Sequence, residues 1–331
     1  MKIREFDKSK LPILLFSVFV FALPLILSNT ALWLRVFTYV TIFCILSSAM
    51  NLMIGFAGQF SLGVGAIAGL AAYTSANLMM RYGFSFWVAF PVAALTATAL
   101  GVGLGFPGLR LRGFYFAMAT LIMQNVIVQI FLDWTSFTKG DIGLTGVPFP
   151  TIFGVEVRGI YYAYLCLAAL GITLYVVYKL LNSSLGMAMR AIREDDVLTE
   201  SLGINVARTK MIVYATSSFM IGAAGSLLGH ISMVLTPRMF EIGLSFQILV
   251  QTIVGGGGTI VGPLVGTSLL TVLPYAVRES YAIQDIINGI LMIIVAISFK
   301  GGIYGQIKGS LQRSKKEITE NKTIDEKTYE R

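Results

Sequence analysis

Charge is what this chain has least of. Asp, Glu, Lys and Arg make up 13% of its 331 residues, while 56% are hydrophobic. Soluble domains carry about 25% charged residues, so this balance excludes an ordinary soluble fold and reads as a polytopic membrane protein. Cysteine is nearly absent: Cys44 and Cys166 both sit in apolar stretches, as small packed hydrophobes and not as a disulfide framework or a metal motif. With a single histidine, His230, there is no His-rich metal centre. That residue reads as a packed helix-end side chain or, alternatively, as a pore residue. No GxxxxGK[ST] loop, HExxH motif or nucleophile elbow occurs in the sequence, so no nucleotide site of that type and no enzyme constellation is expected. Ionisable groups within the apolar stretches are also scarce. Arg35, Asp133 and Asp285 fall near span ends, whereas a proton or ion relay places carboxylates deeper. The energy for any transport must therefore come from outside this chain.

What is present is a succession of apolar runs. A helix crosses the hydrocarbon core in about 20 residues, and spans are expected at 11–27, 31–54, 64–80, 86–106, 114–132, 159–181, 211–235 and 283–299. The first run follows the basic segment MKIREFDKSK. It is longer than a secretory signal core, has no convincing cleavage site after it, and is read as a retained span. Basic residues cluster at the two ends, four in the first ten positions and eight from Lys300 to Arg331. This pattern predicts cytoplasmic termini, with the loop holding Arg110 and Arg112 inside, residues 133–158 outside and residues 184–210 inside. It gives no reason to expect nucleic acid.

Glycine, 34 of 331 residues, exceeds the average share of about 7%. Gly255, Gly256, Gly257 and Gly258 interrupt an apolar region at 244–273, and each weakens a helix by about 1 kcal/mol relative to alanine. Two half-helices, 244–254 and 259–273, meeting at a protein-buried turn would keep the basic tail inside. A second break occurs at 55–63, GFAGQFSLG. Interrupted helices mark the substrate path in transporters, and tight helix packing is the competing explanation. Gln59, Ser61, Gln247, Gln251 and Gly255–Gly258 are expected to border a translocation path. Gln124, Asn125 and Gln129 are amides of the same kind, and each such amide serves either a passing solute or interhelical hydrogen bonding. The glycine- and proline-rich stretch 138–148 is expected as a structured turn, an external docking point or a cap over the mouth.

The segment 184–210 sets Arg190, Arg193, Glu194, Asp195, Asp196 and Glu200 among Leu185, Met187, Met189, Ile192, Val197, Leu198, Leu202 and Ile204. Charge of this density stays out of lipid. The pattern predicts a short surface helix with one apolar and one charged face, turning after Gly203. A docking helix, a solvated loop and a lipid-surface helix all fit, although the balance of signs weakens lipid adsorption.

Four blocks then carry a family resemblance: NLMIGFAGQFSLGVGAIAGLAAYTSANL (51–78), LRLRGFYFAMATL (109–121), TKGDIGLTGVP (138–148) and SLGMAMRAIREDDVLTESLGINVARTK (184–210). The glycine-rich VGGGGTIVGPLVG (254–266) adds to them. In this order they resemble the LivM-type permeases of bacterial branched-chain amino-acid ABC importers. The resemblance implies an all-α polytopic helical bundle of about 8–10 transmembrane segments. The divisions are a cytoplasmic segment 1–10, a permease domain 11–308 and a polar cytoplasmic tail 309–331. Residues 184–210 become the coupling loop, with Arg190, Ala191, Ile192, Arg193, Glu194, Asp195 and Gly203 against a cytoplasmic ATPase. Also implied are two ATPase subunits that use ATP while this chain binds no cofactor or metal, a related second permease, an extracytoplasmic solute-binding protein, and a bacterial or archaeal cytoplasmic membrane. Urea and short-chain amide permeases look alike at these motifs, so cargo rests on analogy. An ion-coupled carrier or an assembly subunit are the readings from other classes.

Overall fold

The computed structural model describes residues 22–27, 30–108, 111, 113–152 and 154–276. The expected segment 1–10, most of the span 11–27, Arg110, Arg112, the span 283–299 with Asp285, and the tail 309–331 lie outside the described residues. Eight long helices organise the described residues: α1 (Ala31–Asn51), α2 (Val64–Tyr82), α3 (Phe86–Gly108), α4 (Phe114–Asp133), α6 (Ile160–Leu181), α9 (Val206–Ser232), α10 (Ile242–Gly256) and α11 (Gly262–Ala276). Shorter helices are α5 (Thr135–Thr138), α7 (Ser184–Glu194) and α8 (Asp196–Ser201). Among the described residues, six helical stretches are long and apolar enough to cross a membrane, which makes the chain a multi-pass helical membrane protein.

Apolarity on all sides of α1 predicts burial within the bundle. Its most apolar window is 83% buried, against 33% for α4 and 28% for α6; α1 is therefore central and the other two peripheral. Three helices, α2, α3 and α9, pack closely because small residues line their contacts. A Cβ on Gly225 would lie 2.3 Å from the Ala68 carbonyl oxygen, one on Gly222 2.5 Å from Ala97 Cβ, and one on Gly101 2.0 Å from Ser218 Oγ. Backbones brought this near gain dispersion contacts that lipid alone would not favour.

Polar side chains tie the spans together. Ser245 donates to Gln124 Oε1 at 2.7 Å, and Gln124 Nε2 donates to the Phe240 carbonyl at 3.5 Å. The buried amide Gln124 is thus interhelical glue. Asn125 and Gln129 are exposed, with Gln129 bonded to Asp133. Buried His230 bridges two elements, Nδ1 donating to the Pro148 carbonyl at 2.7 Å and Nε2 lying 2.8 Å from Ser75 Oγ. It is a packed residue at the end of α9.

Two sets of connections lie at opposite ends. One end carries residues 83–85, 134–159 and 233–241. Here Thr138 caps back onto the Phe131 and Trp134 carbonyls. Strand β1 (Leu144–Thr145) pairs antiparallel with β4 (Val234–Leu235), and β2 (Thr151–Ile152) pairs with β3 (Val155–Glu156). These two ladders of two-residue strands leave the all-α expectation standing; they satisfy backbone groups of a glycine-rich connection by pairing extended segments. The other end carries 57–63, 182–205 and 257–261, including every charge of the 184–210 segment except Arg208 and Lys210, which begin α9.

The 244–273 region is two packed helices joined by a turn, with shifted boundaries. Gly255 and Gly256 belong to α10 and only 257–261 is non-helical. Glycine lets the hairpin close: a Cβ on Gly255 would sit 2.1 Å from the Gly262 carbonyl, and one on Gly266 2.3 Å from the Gln251 carbonyl, while Gly256, the last residue of α10, already leaves helical geometry at φ 121°. In α1 the break at 55–63 begins earlier than expected, as a π-helical turn over Leu52–Phe56.

Candidate functional site

The charged segment is two capped helices and not one. Asp195 ends α7 and starts α8, its carboxylate accepting from the amides of Val197 at 2.8 Å and Leu198 at 3.0 Å. A carboxylate at this position satisfies orphan amide donors and the positive end of the helix dipole. At the far end the Gly203 amide donates to the Glu200 carbonyl and that of Ile204 to Thr199. With Gly203 at φ 82°, this is a Schellman stop that glycine alone makes without strain. Asn205 then caps α9 through the Arg208 amide at 2.9 Å. The expected single helix over this stretch is thereby divided by the one acidic side chain able to cap from within.

The faces divide as well. Gly186, Met189 and Ile192 are buried against the bundle. Met187, Val197, Leu198 and Leu202 point outward, 57–72% exposed. Arg190 and Glu194 are exposed and make no hydrogen bond or ion pair among the described residues. Ala191 is half-buried, and Lys210 pairs with Asp196 at the base of α9.

Arg193 is exposed as well, but its side chain also turns back toward the bundle. Its stem lies over Gly58, where the lack of a side chain leaves the room: a Cβ there would meet Arg193 Cβ at 3.6 Å. Its guanidinium Nη1 donates to the carbonyl of Gly55 in the π-turn of α1 and passes so near Gly258 that a Cβ there would lie 2.7 Å from it. Asn51, one turn back on α1, joins the same place: its Nδ2 donates to the Thr259 carbonyl at 2.8 Å and its Oδ1 accepts from the Gly258 amide at 2.8 Å. Both glycine breaks and the charged segment thus meet at one junction. The sequence reading missed Asn51. Its signal was an amide one turn before a glycine on a helix too apolar to tolerate it unpaired.

Beside the junction lies a cavity of about 310 Å³, lined among others by Gln59, Phe116, Arg193, Asp196 and Lys210. Of the expected path residues, Gln59 borders this cavity, and its Oε1 has no hydrogen-bond partner among the described residues. Ser61 is buried and bonded to Tyr214 Oη at 2.7 Å. Gln247 is half-buried, while Gln251 is buried between α10 and α11, donating to Thr271 Oγ1 at 3.1 Å. The four-residue spacing does not give the two glutamines the same environment. Gly255 faces the packing of α10 on α11, buried Gly256 turns the chain at φ 121°, and Gly257 and Gly258 face Asn51, Gly55 and Arg193.

A multi-pass bundle with interrupted central helices and a charged helix pair at one end fits a transport permease, the class to which its relatives belong. The family model described as "Branched-chain amino acid transport system / permease component" matches residues 32–296. The high-affinity branched-chain amino acid transport system permease protein LivM of Escherichia coli is 30% identical over 88% of this chain and 73% of its own length. LivH of Salmonella typhimurium is 24% identical over 80% of this chain and 91% of its own. The ribose import permease protein RbsC of Haemophilus influenzae is 22% identical over 80% and 83%. The chain belongs to the branched-chain amino acid transport system permease family.

Proposed function

We propose that this chain is a membrane-spanning subunit of an ATP-driven importer of branched-chain or other neutral amino acids. Its spans alternate access while two cytoplasmic ATPase subunits hydrolyse ATP. A related second permease completes the pathway, and an extracytoplasmic binding protein delivers solute. The termini and the α7–α8 pair lie on the cytoplasmic side, as the basic residues of the sequence require.

One observation carries the reading. Met187, Val197, Leu198 and Leu202 are exposed on a capped, rigid helix pair outside the spans, beside Arg190 and Glu194, which have no partner among the described residues. Apolar side chains at a water-facing end, framed by charge, fit a protein groove better than solvent. A purely solvated loop has no use for them, and lipid adsorption favours basic clusters over balanced charge. Arg190, Ala191, Ile192, Glu194, Asp195 and Gly203 enter this contact in different ways: Arg190 and Glu194 by touching the partner, Ile192, Asp195 and Gly203 by holding the helices in shape.

The experiment is co-purification of the ATPase with Leu198→Asp and Leu202→Asp variants, alongside uptake of labelled leucine. Both variants are expected to reach the membrane and lose the ATPase. Retention of the ATPase by both would sink the docking role. Because the relatives include a permease named for ribose import, cargo needs its own measurement: competition by unlabelled leucine supports the amino-acid reading, and competition by urea alone supports the amide alternative. For the path, Gln59 beside the cavity and half-buried Gln247 are the positions a solute reaches first, and cysteines placed there should react with small thiol reagents in at least one transport state.

A further inference from the structure

We propose that Arg193 and Asn51 are positioning residues that tie the α7–α8 pair to both helix breaks, so that the three move as one body. The proposal rests on the docking role given to α7–α8 above.

A π-turn places its carbonyls out of register with the α-helical ladder, which leaves an acceptor free for another donor, and such turns recur at functional sites. In α1 that turn is Leu52–Phe56, and the Gly55 carbonyl is taken by the Arg193 guanidinium. A charged donor on a backbone carbonyl is stronger than a neutral pair. The second connection is the Asn51 side chain, which holds the amide of Gly258 and the carbonyl of Thr259, both at 2.8 Å. Asn51 is 1% exposed and its partners Gly258 and Thr259 are half-buried, so both bonds are partly screened from bulk water.

The glycines make room for these bonds. A Cβ on Gly55 would lie 2.0 Å from Asn51 Oδ1 and 2.4 Å from the Gly258 amide nitrogen. Any larger residue separates α1 from the α10–α11 turn. Gly58 and Gly258 adopt φ of 67° and 83°, conformations that glycine takes without penalty. Glycine here does more than interrupt helices: it lets one arginine from the surface pair reach into the bundle. Force applied to α7 then reaches α1 through Arg193, and α10–α11 through Asn51, without passing along the flexible connections.

A docking contact and a tie differ in what their loss does. In proteoliposomes holding the whole importer, Arg193→Met should keep the ATPase bound and hydrolysing, while solute moved per ATP falls about tenfold or more. Arg193→Lys, which still offers a cation to the Gly55 carbonyl, should recover much of that loss. A paired variant, Gly58→Cys with Arg193→Cys, is read against Gly58→Cys alone, which carries the same backbone strain at φ 67° without the second thiol. Its Cβ atoms would stand 3.6 Å apart, within the disulfide range, and the native Cys44 and Cys166 are buried. Reduced, the pair should be uncoupled like Arg193→Met; oxidised, the covalent bond should replace the lost tie and raise transport per ATP several-fold. Loss of the ATPase from Arg193→Met would make Arg193 a docking contact and overturn the tie, as would no gain on oxidation of the formed disulfide. If the wild-type chain itself binds no ATPase, the docking role fails first, which is a separate result.

Discussion

Gly55→Ala is the sharpest perturbation of the junction. The added methyl would lie 2.0 Å from Asn51 Oδ1 and 2.4 Å from the Gly258 nitrogen. The first can be relieved by turning the Asn51 side chain, but the second is backbone. Overpacking of this kind costs about 1–3 kcal/mol. Turning Asn51 away also breaks its two hydrogen bonds, each worth about 1 kcal/mol net, and leaves a buried amide and carbonyl unpaired. The sum is about 3–5 kcal/mol. At about 2–4 °C per kcal/mol for a chain of this size, the melting temperature of the purified permease should fall by roughly 6 °C or more. Gly171→Ala is the matched control, because a Cβ there meets nothing within 4 Å and alanine is the better helix former; it should melt at or above the wild-type temperature. Asn51→Gly combined with Gly55→Ala should be less damaging than the sum of the two single changes, since the clash with Oδ1 is gone. If Gly55→Ala melts within about 1 °C of wild type, the close approach of α1 to the 257–261 turn is wrong, because overpacking of about 1–3 kcal/mol cannot hide in so small a shift.

Four further outcomes follow from the same geometry. Asp195→Ala should cost about 1 kcal/mol through loss of the α8 cap and speed hydrogen exchange over 196–201, whereas Asp195→Asn should leave exchange nearly unchanged. Ser245→Ala and Gln124→Leu should show a coupling of about 0.6 kcal/mol in a double-mutant cycle, the usual strength of a bond between membrane helices. The Arg238–Asp141 ion pair is well exposed, with side chains 68% and 64% accessible, so Arg238→Ala should change the melting temperature little, in keeping with surface pairs worth under about 1 kcal/mol. Single cysteines at Leu202 and Ile152 should label with a membrane-impermeant thiol reagent from opposite sides of the membrane, the first from the cytoplasm; labelling from one side would contradict the alternation of the ends.

Periodicity and charge located the spans because those signals are local. A run of about 20 apolar residues is a helix in lipid whatever surrounds it, since no water is there to satisfy an open backbone. The expected 86–106 and 159–181 appear as Phe86–Gly108 and Ile160–Leu181. Boundaries slipped where a break depends on a distant partner. Gly255 looked like part of the turn, yet it stays helical against Gly262 and Gly266, while the chain leaves helical geometry only at Gly256 and the turn itself falls at 257–261. Likewise Gln247 and Gln251 share a spacing but not an environment, because α11 covers Gln251 and leaves Gln247 half open.

By itself, the sequence determined that this is a membrane protein without a nucleotide loop, that one charged segment lies between two of its spans, and that glycines interrupt its apolar runs at 55–63 and 255–258. Each of these depends only on which residues are neighbours in the chain. Tertiary structure decided that the three features are one place. Residues 51 and 55 are one helical turn apart, but 193 and 258 are far from them in sequence, and no pattern of period or spacing brings Arg193 to the Gly55 carbonyl or Asn51 to the Gly258 amide. Packing does so: α10 and α11 fold back on α1, glycines remove the side chains that would hold them apart, and a buried amide and a guanidinium take the backbone groups that the breaks left open.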